Sequence, residues 1–217
     1  MPVAMQPKKV VGTDTRKRPV PASIKPARVA PLTYLQKVQR GIITSIRNKS
    51  QKQRQEFSLA KLKEMKSRGL GKSKPTIGGL YLYLYDAKFK DELLYWDQFP
   101  LVFCVDVTDK GWMGLSLHYL HPVMRAKLMD AIEAIAVKSG KNERQKLIVS
   151  YNMLKSASRT RFFRPCVKNY LASHVRSKLL EVAKSDWDLV LSLPLARFQK
   201  AQPSKVYADS RRIISGK

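Results

Sequence analysis

Residues 80–85 alternate leucine and tyrosine without interruption. Successive side chains of a β-strand point to opposite faces of a sheet. The alternation therefore places three leucines on one face and three tyrosines on the other, and it predicts a β-strand.

Two further strands are predicted at residues 101–107 and 113–119, connected by a turn at Asp109, Lys110 and Gly111 whose dipeptides suit a hairpin. Three or four short strands in this region favour a small, strongly bent antiparallel sheet of the SH3-like kind. The aromatic segments 95–100 and 112–115 are expected to build its core, although exposed aromatic residues would instead mark a protein interface.

Helical periodicity follows the predicted sheet. Pro122 suits the first turn of a helix, and the same spacing of apolar residues predicts helices over 143–154 and 165–180. Ser185 and Ser204 are expected to cap two short helices that end at Leu193 and Ile214. The inner face of the first helix is formed by Met124, Leu128, Met129, Ile132 and Ile135.

The N-terminal third has a different composition. Residues 1–31 are rich in proline and basic residues and have almost no large apolar side chains, so they predict an extended arm that orders only against a partner. Residues 33–68 are typical of a helix, but their middle part, 48–55, has no apolar residue. The helix is expected to end near Gly69, and residues 70–74, which include Gly71, predict a hinge before Pro75.

We therefore predict an α+β fold in three parts. A basic arm occupies residues 1–31, and a basic helix with its hinge occupies residues 32–75. A folded domain occupies residues 76–217, with a β unit at about 79–120 and a helical part at about 122–214, on the patterns above.

The charge is large and uneven. The chain has 42 Lys and Arg against 16 Asp and Glu, a formal net charge of +26. Residues 1–75 hold 19 of these cations and 3 of the anions, a net +16. Such a charge calls for a polyanionic partner, most commonly nucleic acid, because binding releases condensed counterions. Membrane insertion is not expected, since no stretch approaches the roughly 18 apolar residues of a spanning helix.

The cations expected to contact DNA lie in the arm, along the helix near 48–55, and in the loop 155–168. Arginine and hydroxyl groups of this loop suit phosphate oxygens, whereas Phe162 and Phe163 either stack on bases or anchor the loop in the core. Alternatively, the arginines of the loop are simply solvated. The expected contact residues are Lys8, Lys9, Arg16, Lys17, Arg18, Arg47, Lys49, Lys52, Arg54, Lys155, Arg159, Arg161, Arg164 and Lys168.

No motif for reading base sequence is present, neither a helix-turn-helix nor a zinc finger nor an RNA-recognition motif, so DNA binding is expected to be independent of sequence. His118 and His121, with Cys104, are too few and too poorly spaced for a zinc site, and they are expected to be structural. The carboxylate pairs 91/92 and 186/188 suit a charged turn and a helix start better than a magnesium site.

The chain also lacks a P-loop and a nucleophile elbow. We therefore expect no enzymatic activity, no cofactor and no metal. Cys104 and Cys166 are expected to be reduced thiols in the core, because two isolated cysteines do not make a secreted disulfide scaffold.

The last sequence feature is a set of blocks: Tyr81–Lys88, Leu94–Val102, Gly114–Leu120, Arg125–Leu128, Arg161–Tyr170, Trp187, Leu193-Pro194, Arg197-Phe198 and Ser210–Arg212. These blocks resemble a virion protein family of T4-like tailed phages, the myophages, and within it the DNA end protectors. The resemblance spans roughly residues 78–214. It implies a non-enzymatic virion component that assembles symmetrically with other subunits and shields genome ends from host nucleases near the head-tail junction.

Three functions stay open. The first is a virion protein, made in the host cytoplasm, that binds double-stranded DNA of the phage genome nonspecifically. The second is a tail or baseplate assembly subunit whose basic arm binds acidic neighbouring proteins. The third is an RNA-binding protein, suggested only by the basic composition. The arm and the helix of residues 32–75 lie outside the resembling blocks, so their assignment to DNA rests on charge.

Overall fold

A computed structural model of the chain describes residues 32–41, 51–67, 71–138 and 163–216. The strands are β1 Gly71–Lys72, β2 Leu80–Leu82, β3 Trp96–Asp97, β4 Leu101–Thr108, β5 Gly111–Ser116, β6 Val167–Leu171, β7 Leu179–Glu181 and β8 Phe198–Gln199. The helices are α1 Tyr34–Gly41, α2 Gln51–Ser67, α3 Pro122–Lys138, α4 Trp187–Ser192 and α5 Pro203–Ser215. The fold is mixed α+β, as predicted.

Six strands form one sheet in the order β1-β7-β2-β4-β5-β6, and all of the pairings between them are antiparallel. The remaining strands, β3 and β8, pair with each other. The predicted hairpin joins β4 to β5, with Asp109 and Lys110 between the paired residues Thr108 and Gly111. The predicted β unit is therefore present, and strands from before and after it in the chain extend it to six.

The alternation of residues 80–85 places the leucines and the tyrosines on opposite sides, as predicted, and the structure shows that this divides the core in two. Leu80 and Leu82 belong to the main hydrophobic cluster, which the helices cover. The three tyrosines belong to a second cluster on the opposite side, together with Trp112 and Tyr170. Tyr83 lies at the centre of this second cluster, with edge-to-face contacts to Tyr85, Trp112 and Tyr170. Both faces of the sheet are thus buried.

Helix α3 begins at Pro122, as predicted, and its residues Leu128, Met129 and Ile132 are buried in the main cluster. Helix α1 packs against α3 and α4, with the ring of Tyr34 stacked on Trp187 at 6.4 Å. Helix α2 has a face buried at Ser58, Leu62 and Met65, while Lys63 and Lys66 are exposed.

The helix predicted over 165–180 is wrong, because β6 and β7 occupy this segment with a 3₁₀ turn at Ala172–His174. The apolar spacing of Val167, Tyr170 and Leu171 fits one helical face, but the same residues also suit a strand. Strand β4 pairs with one edge of β5. The backbone groups of the other edge also need hydrogen-bond partners, and β6 supplies them. Tertiary pairing therefore overrides the local pattern.

Two smaller predictions also change, and a third is not tested. The N-caps of α4 and α5 are Asp186 and Gln202 instead of Ser185 and Ser204, and Pro203 takes the first turn of α5. The segment predicted as a hinge at 70–74 includes β1, which pairs with β7. The helix predicted over 143–154 lies outside the described residues.

Candidate nucleic-acid interface

Only two of the residues expected to contact DNA, Arg164 and Lys168, have described side chains. Lys52 and Arg54 lie within α2, where the backbone alone is described. The others, which lie outside the described residues, are Lys8, Lys9, Arg16, Lys17, Arg18, Arg47, Lys49, Lys155, Arg159 and Arg161.

Arg164 and Lys168 have different surroundings. Arg164 is exposed, and it follows Phe163, whose side chain is buried in the main cluster. Phe163 is therefore an anchor in the core, one of the two roles that the sequence left open. The Nζ of Lys168, on β6, lies 4.3 Å from the centre of the Tyr119 ring, and burial lowers the pKa of this lysine. Its ammonium is held against an aromatic ring at the sheet.

Among the described residues that follow residue 70, the excess of positive charge lies late in the chain. Residues 71–138 contain eight Lys and Arg against eight Asp and Glu, so they are neutral overall. Residues 163–216 contain ten against four, a net +6. Lys178, Lys184, Arg197 and Arg211 are among the exposed cations of this second segment. The described part of the molecule therefore carries an excess of positive charge of its own, besides the larger excess in the first 75 residues of the sequence.

The loop 86–95 is held by Lys200, a residue of this second segment. The Nζ of Lys200 donates to the backbone oxygens of Lys90, Asp91 and Leu93, at 2.7, 3.1 and 3.4 Å. The same Nζ lies 5.6 Å from the centre of the Trp96 ring. Lys200 has a φ of 64°, a left-handed conformation that a lysine rarely adopts. The neighbouring strand pair β3–β8 places it at this position.

His118 is buried and bonded to Asp97, with 2.6 Å between His118 Nδ1 and Asp97 Oδ2. The other carboxylate oxygen of Asp97 accepts the backbone N–H groups of Phe99 and Arg197. Burial lowers the pKa of His118 and favours its neutral form. This pair ties the end of β5 to β3 and to the chain entering β8, a structural role as predicted for His118.

Arg125 is the largest fully buried side chain of the described residues, and no pattern in the sequence indicates its burial. Its Nε donates to the backbone oxygen of Leu120, and its two terminal nitrogens donate to Leu191 and to the Tyr207 hydroxyl. Helices α3, α4 and α5 are joined at this one guanidinium. Arg125 therefore belongs to the interior of the fold and not to a DNA-binding surface.

The remaining groups that suggested chemistry are apart from one another. His121 is exposed beside the ring of Tyr207. Cys104 and Cys166 are both buried free thiols, and burial raises the pKa of each to about 12. Among the described residues, no three or more His, Cys, Asp or Glu side chains converge as a metal site would require.

A family model described as "Phage T4 terminal DNA protecting protein" matches residues 31–214 of this chain. The chain belongs to this family. By family, the chain is a phage DNA end-protecting protein, in agreement with the resemblance found in the sequence. Membership of the family implies association with DNA and with the virion. No curated protein and no solved structure matches the chain significantly.

The match to the terminal DNA protecting family begins at residue 31 and therefore excludes nearly all of the basic arm. It includes every described strand, the described helices as far as residue 214 of α5, the loop 86–95 and residues 163–214 of the cationic segment. Among the helices that the structure describes, none has the length and apolar character needed to cross a bilayer. No sequence signal indicates the role of Lys200, which lies about a hundred residues from the loop that it holds.

Proposed function

We propose that this terminal DNA protecting protein binds double-stranded DNA without sequence preference and caps the ends of the packaged phage genome at the head-tail junction. The observation that carries the proposal is the family match together with the net +6 of residues 163–214 within it. A basic surface on a folded unit gives affinity for phosphates wherever they occur along a duplex.

The described cations suit contacts with the DNA backbone. Exposed lysines and arginines neutralise phosphates and release condensed counterions, which favours association most strongly at low salt. Arg176 and Arg211 are exposed, and arginine forms bidentate hydrogen bonds with phosphate oxygens. In the proposal, the basic arm of residues 1–31 and the basic residues near 48–55 add further phosphate contacts.

Sequence-independent binding also suits the role. The ends of a packaged genome are to be recognised as ends, and reading their bases is not required. The sequence contains no motif of the kind that places base-reading side chains in a major groove. Backbone contacts would then position the protein, and a separate feature would recognise the terminus.

The direct test is the salt dependence of binding to a short duplex. We expect the logarithm of the binding constant to fall linearly with the logarithm of the salt concentration, with a slope of about −0.9 for each phosphate neutralised. An RNA duplex of the same length, measured in parallel, tests the RNA alternative. Indifference to duplex DNA at physiological salt contradicts the proposal.

Protection of the terminus needs its own assay. Linear duplex treated with an exonuclease and nicked circular duplex treated with an endonuclease are compared with and without the protein. We expect strong protection of the linear DNA and weak protection of the circle. Equal protection of both would mean that the protein coats DNA without preferring its ends.

The second candidate is an assembly subunit of the tail or baseplate whose basic arm binds acidic neighbouring proteins. One observation favours it: the family match leaves residues 1–30 outside, so the arm is not part of what defines the DNA-protecting family. A variant lacking residues 1–30 separates the two functions. If it binds and protects DNA as the whole chain does but fails to enter particles, the arm binds protein.

A further inference from the structure

Positive charge does not distinguish a DNA end from the interior of a duplex, since both carry the same phosphates. What an end adds is the exposed face of its terminal base pair, which is flat, apolar and bordered by phosphates. A protein that recognises ends therefore needs an apolar surface for that face, with cations around it.

The loop 86–95 carries such an apolar surface. Leu94 is 82% exposed, Phe89 is 55% exposed and Leu93 is 40% exposed. The other large apolar side chains that are exposed in the described residues lie singly on other elements. Single exposed apolar residues are ordinary, whereas a group of them marks a contact surface. We name Phe89, Leu93 and Leu94 the apolar tip.

The apolar tip is held in place by its own backbone and by Lys200. The backbone N–H groups of Glu92 and Leu93 both donate to the oxygen of Phe89, at 3.1 and 3.0 Å. Lys200 Nζ holds three backbone oxygens of the same loop from the side. A loop fixed in this way loses little conformational freedom on binding, which favours affinity.

Four cations contact the apolar tip or the loop that carries it. Lys88 Nζ lies 5.1 Å from the centre of the Phe89 ring. Lys90 and Arg176 both contact the carboxylate of Asp86, at 3.2 and 3.3 Å, and so reduce its negative charge. With Lys200, four cations stand near three carboxylates, which are those of Asp86, Asp91 and Glu92. The border of the tip is therefore cationic on balance.

We propose that the apolar tip stacks on the terminal base pair of blunt double-stranded DNA, with Lys88, Arg176 and Lys200 near the flanking phosphates. The arrangement complements a duplex end, an apolar centre with a cationic border against an apolar face with an anionic border. Apolar side chains already serve as wedges between base steps in DNA-binding proteins, and aromatic residues serve as stacking platforms. The inference rests on the proposed DNA binding and assigns the recognition of the terminus to one loop.

The test compares two DNAs of the same sequence, a blunt duplex and the same duplex closed by a hairpin at each end. The wild-type protein is expected to bind the open duplex more tightly. Phe89→Ser with Leu94→Ser is expected to reduce that preference by about tenfold, equivalent to about 1.4 kcal/mol, while affinity for the closed duplex is unchanged. Val107→Ser, at a site 42% exposed on β4, is the matched control and is expected to keep the preference.

A fluorescent base analogue placed in the terminal pair gives a second readout. We expect its emission to change on binding the wild-type protein and to stay near the free value with the double variant. Leu94→Ser alone, at the most exposed of these positions, tests the loop with the smallest risk to folding.

The outcomes separate this inference from the proposed function. Equal binding of open and closed DNA by the wild type, or an undiminished preference in the double variant, overturns the role of the tip and leaves duplex binding intact. An equal loss of affinity for both DNAs in the double variant also overturns it. Failure of the wild type to bind either DNA overturns both proposals. Loss of binding to a protein partner alone, with DNA binding unchanged, would assign the tip to a protein interface.

Discussion

The carboxylate of Asp130, on α3, accepts hydrogen bonds from the backbone N–H groups of Tyr34 and Leu35, at 2.7 and 3.0 Å. These two groups lie in the first turn of α1, where no partner exists within the helix. A negative charge at this position also favours the helix dipole. Asp130 thus fastens the start of α1 to the folded part of the chain.

Asp130→Ala is therefore expected to reduce the free energy of unfolding by about 1–2 kcal/mol, the usual cost of removing an N-cap. Urea unfolding followed by circular dichroism measures it. Glu133→Ala, one turn further along α3 at an exposed position, is the control and is expected to change stability little. Equal losses of stability in the two variants would show that charge on α3, and not the two hydrogen bonds, stabilises α1.

Gly111 is expected to tolerate no side chain. A Cβ at this position would lie 1.8 Å from the backbone oxygen of Tyr170, because β5 and β6 approach closely there. Gly111→Ala should destabilise the protein by about 3 kcal/mol, as overpacking against backbone does. Gly71→Ala is the matched control, since its Cβ would meet only the flexible side chain of Lys178, at 3.3 Å. Similar unfolding midpoints for the two variants would contradict the prediction.

The sequence predicts best where a pattern reports directly on burial. The leucines and tyrosines of residues 80–85 do fill two separate clusters, because strict alternation is compatible with only one backbone geometry. The spacing of Val167, Tyr170 and Leu171 suits either a helix or a strand, and the open edge of β5 decides between them. That edge is a tertiary feature which no window of the sequence contains.

The candidate site was less predictable for the same reason. The exposure of Phe89 and Leu94 depends on how the loop 86–95 leaves the sheet, and apolar residues of this kind are read from sequence as core. The role of Lys200 depends on the pairing of β3 with β8 across about a hundred residues. The charge of each segment can be counted from the sequence. Which of these charges are exposed is known only from the folded structure.

Acid is expected to destabilise the fold through His118. Burial lowers the pKa of this histidine in the folded state, so the unfolded chain binds its proton at a higher pH. Stability should then fall as the pH drops below about 6.5, the ordinary value for histidine, and continue to fall until the lowered pKa is passed. His121 contributes in the same direction, since burial also lowers its pKa.

The free energy of unfolding measured across this range in wild type, His118→Gln and His121→Gln separates the two contributions. We expect the His118 variant to be less stable near neutrality, because Asp97 loses a buried partner, and to depend less on pH. The same pH dependence in wild type and in the His118 variant would show that other groups are responsible.

Lys200→Met is expected to loosen the loop 86–95 with little effect on global stability. The substitution keeps the length of the side chain but removes the donor that holds three backbone oxygens. Hydrogen exchange at residues 90–94 should accelerate, since loop protection depends on local contacts. Lys205→Met, at another exposed lysine on α5, should leave exchange in the loop unchanged. Unaltered exchange in Lys200→Met would mean that the turn is stable without its lysine.

Charge should matter for DNA binding according to where it lies, and not only according to its total. Lys178→Gln with Arg211→Gln removes two cations from the segment of net +6, and Lys110→Gln with Lys127→Gln removes two from the neutral segment 71–138. All four side chains are exposed. For each phosphate that the variant no longer neutralises, the slope of binding against salt should shrink by about one. We expect a smaller slope only for the first pair, because its two cations lie in the segment proposed to contact DNA. If binding depended on total charge alone, either pair would weaken it equally. Equal reductions in the two pairs would show that total charge, and not its position, governs binding, whereas no reduction in either pair would place the DNA contacts outside both segments, in the arm or along α2.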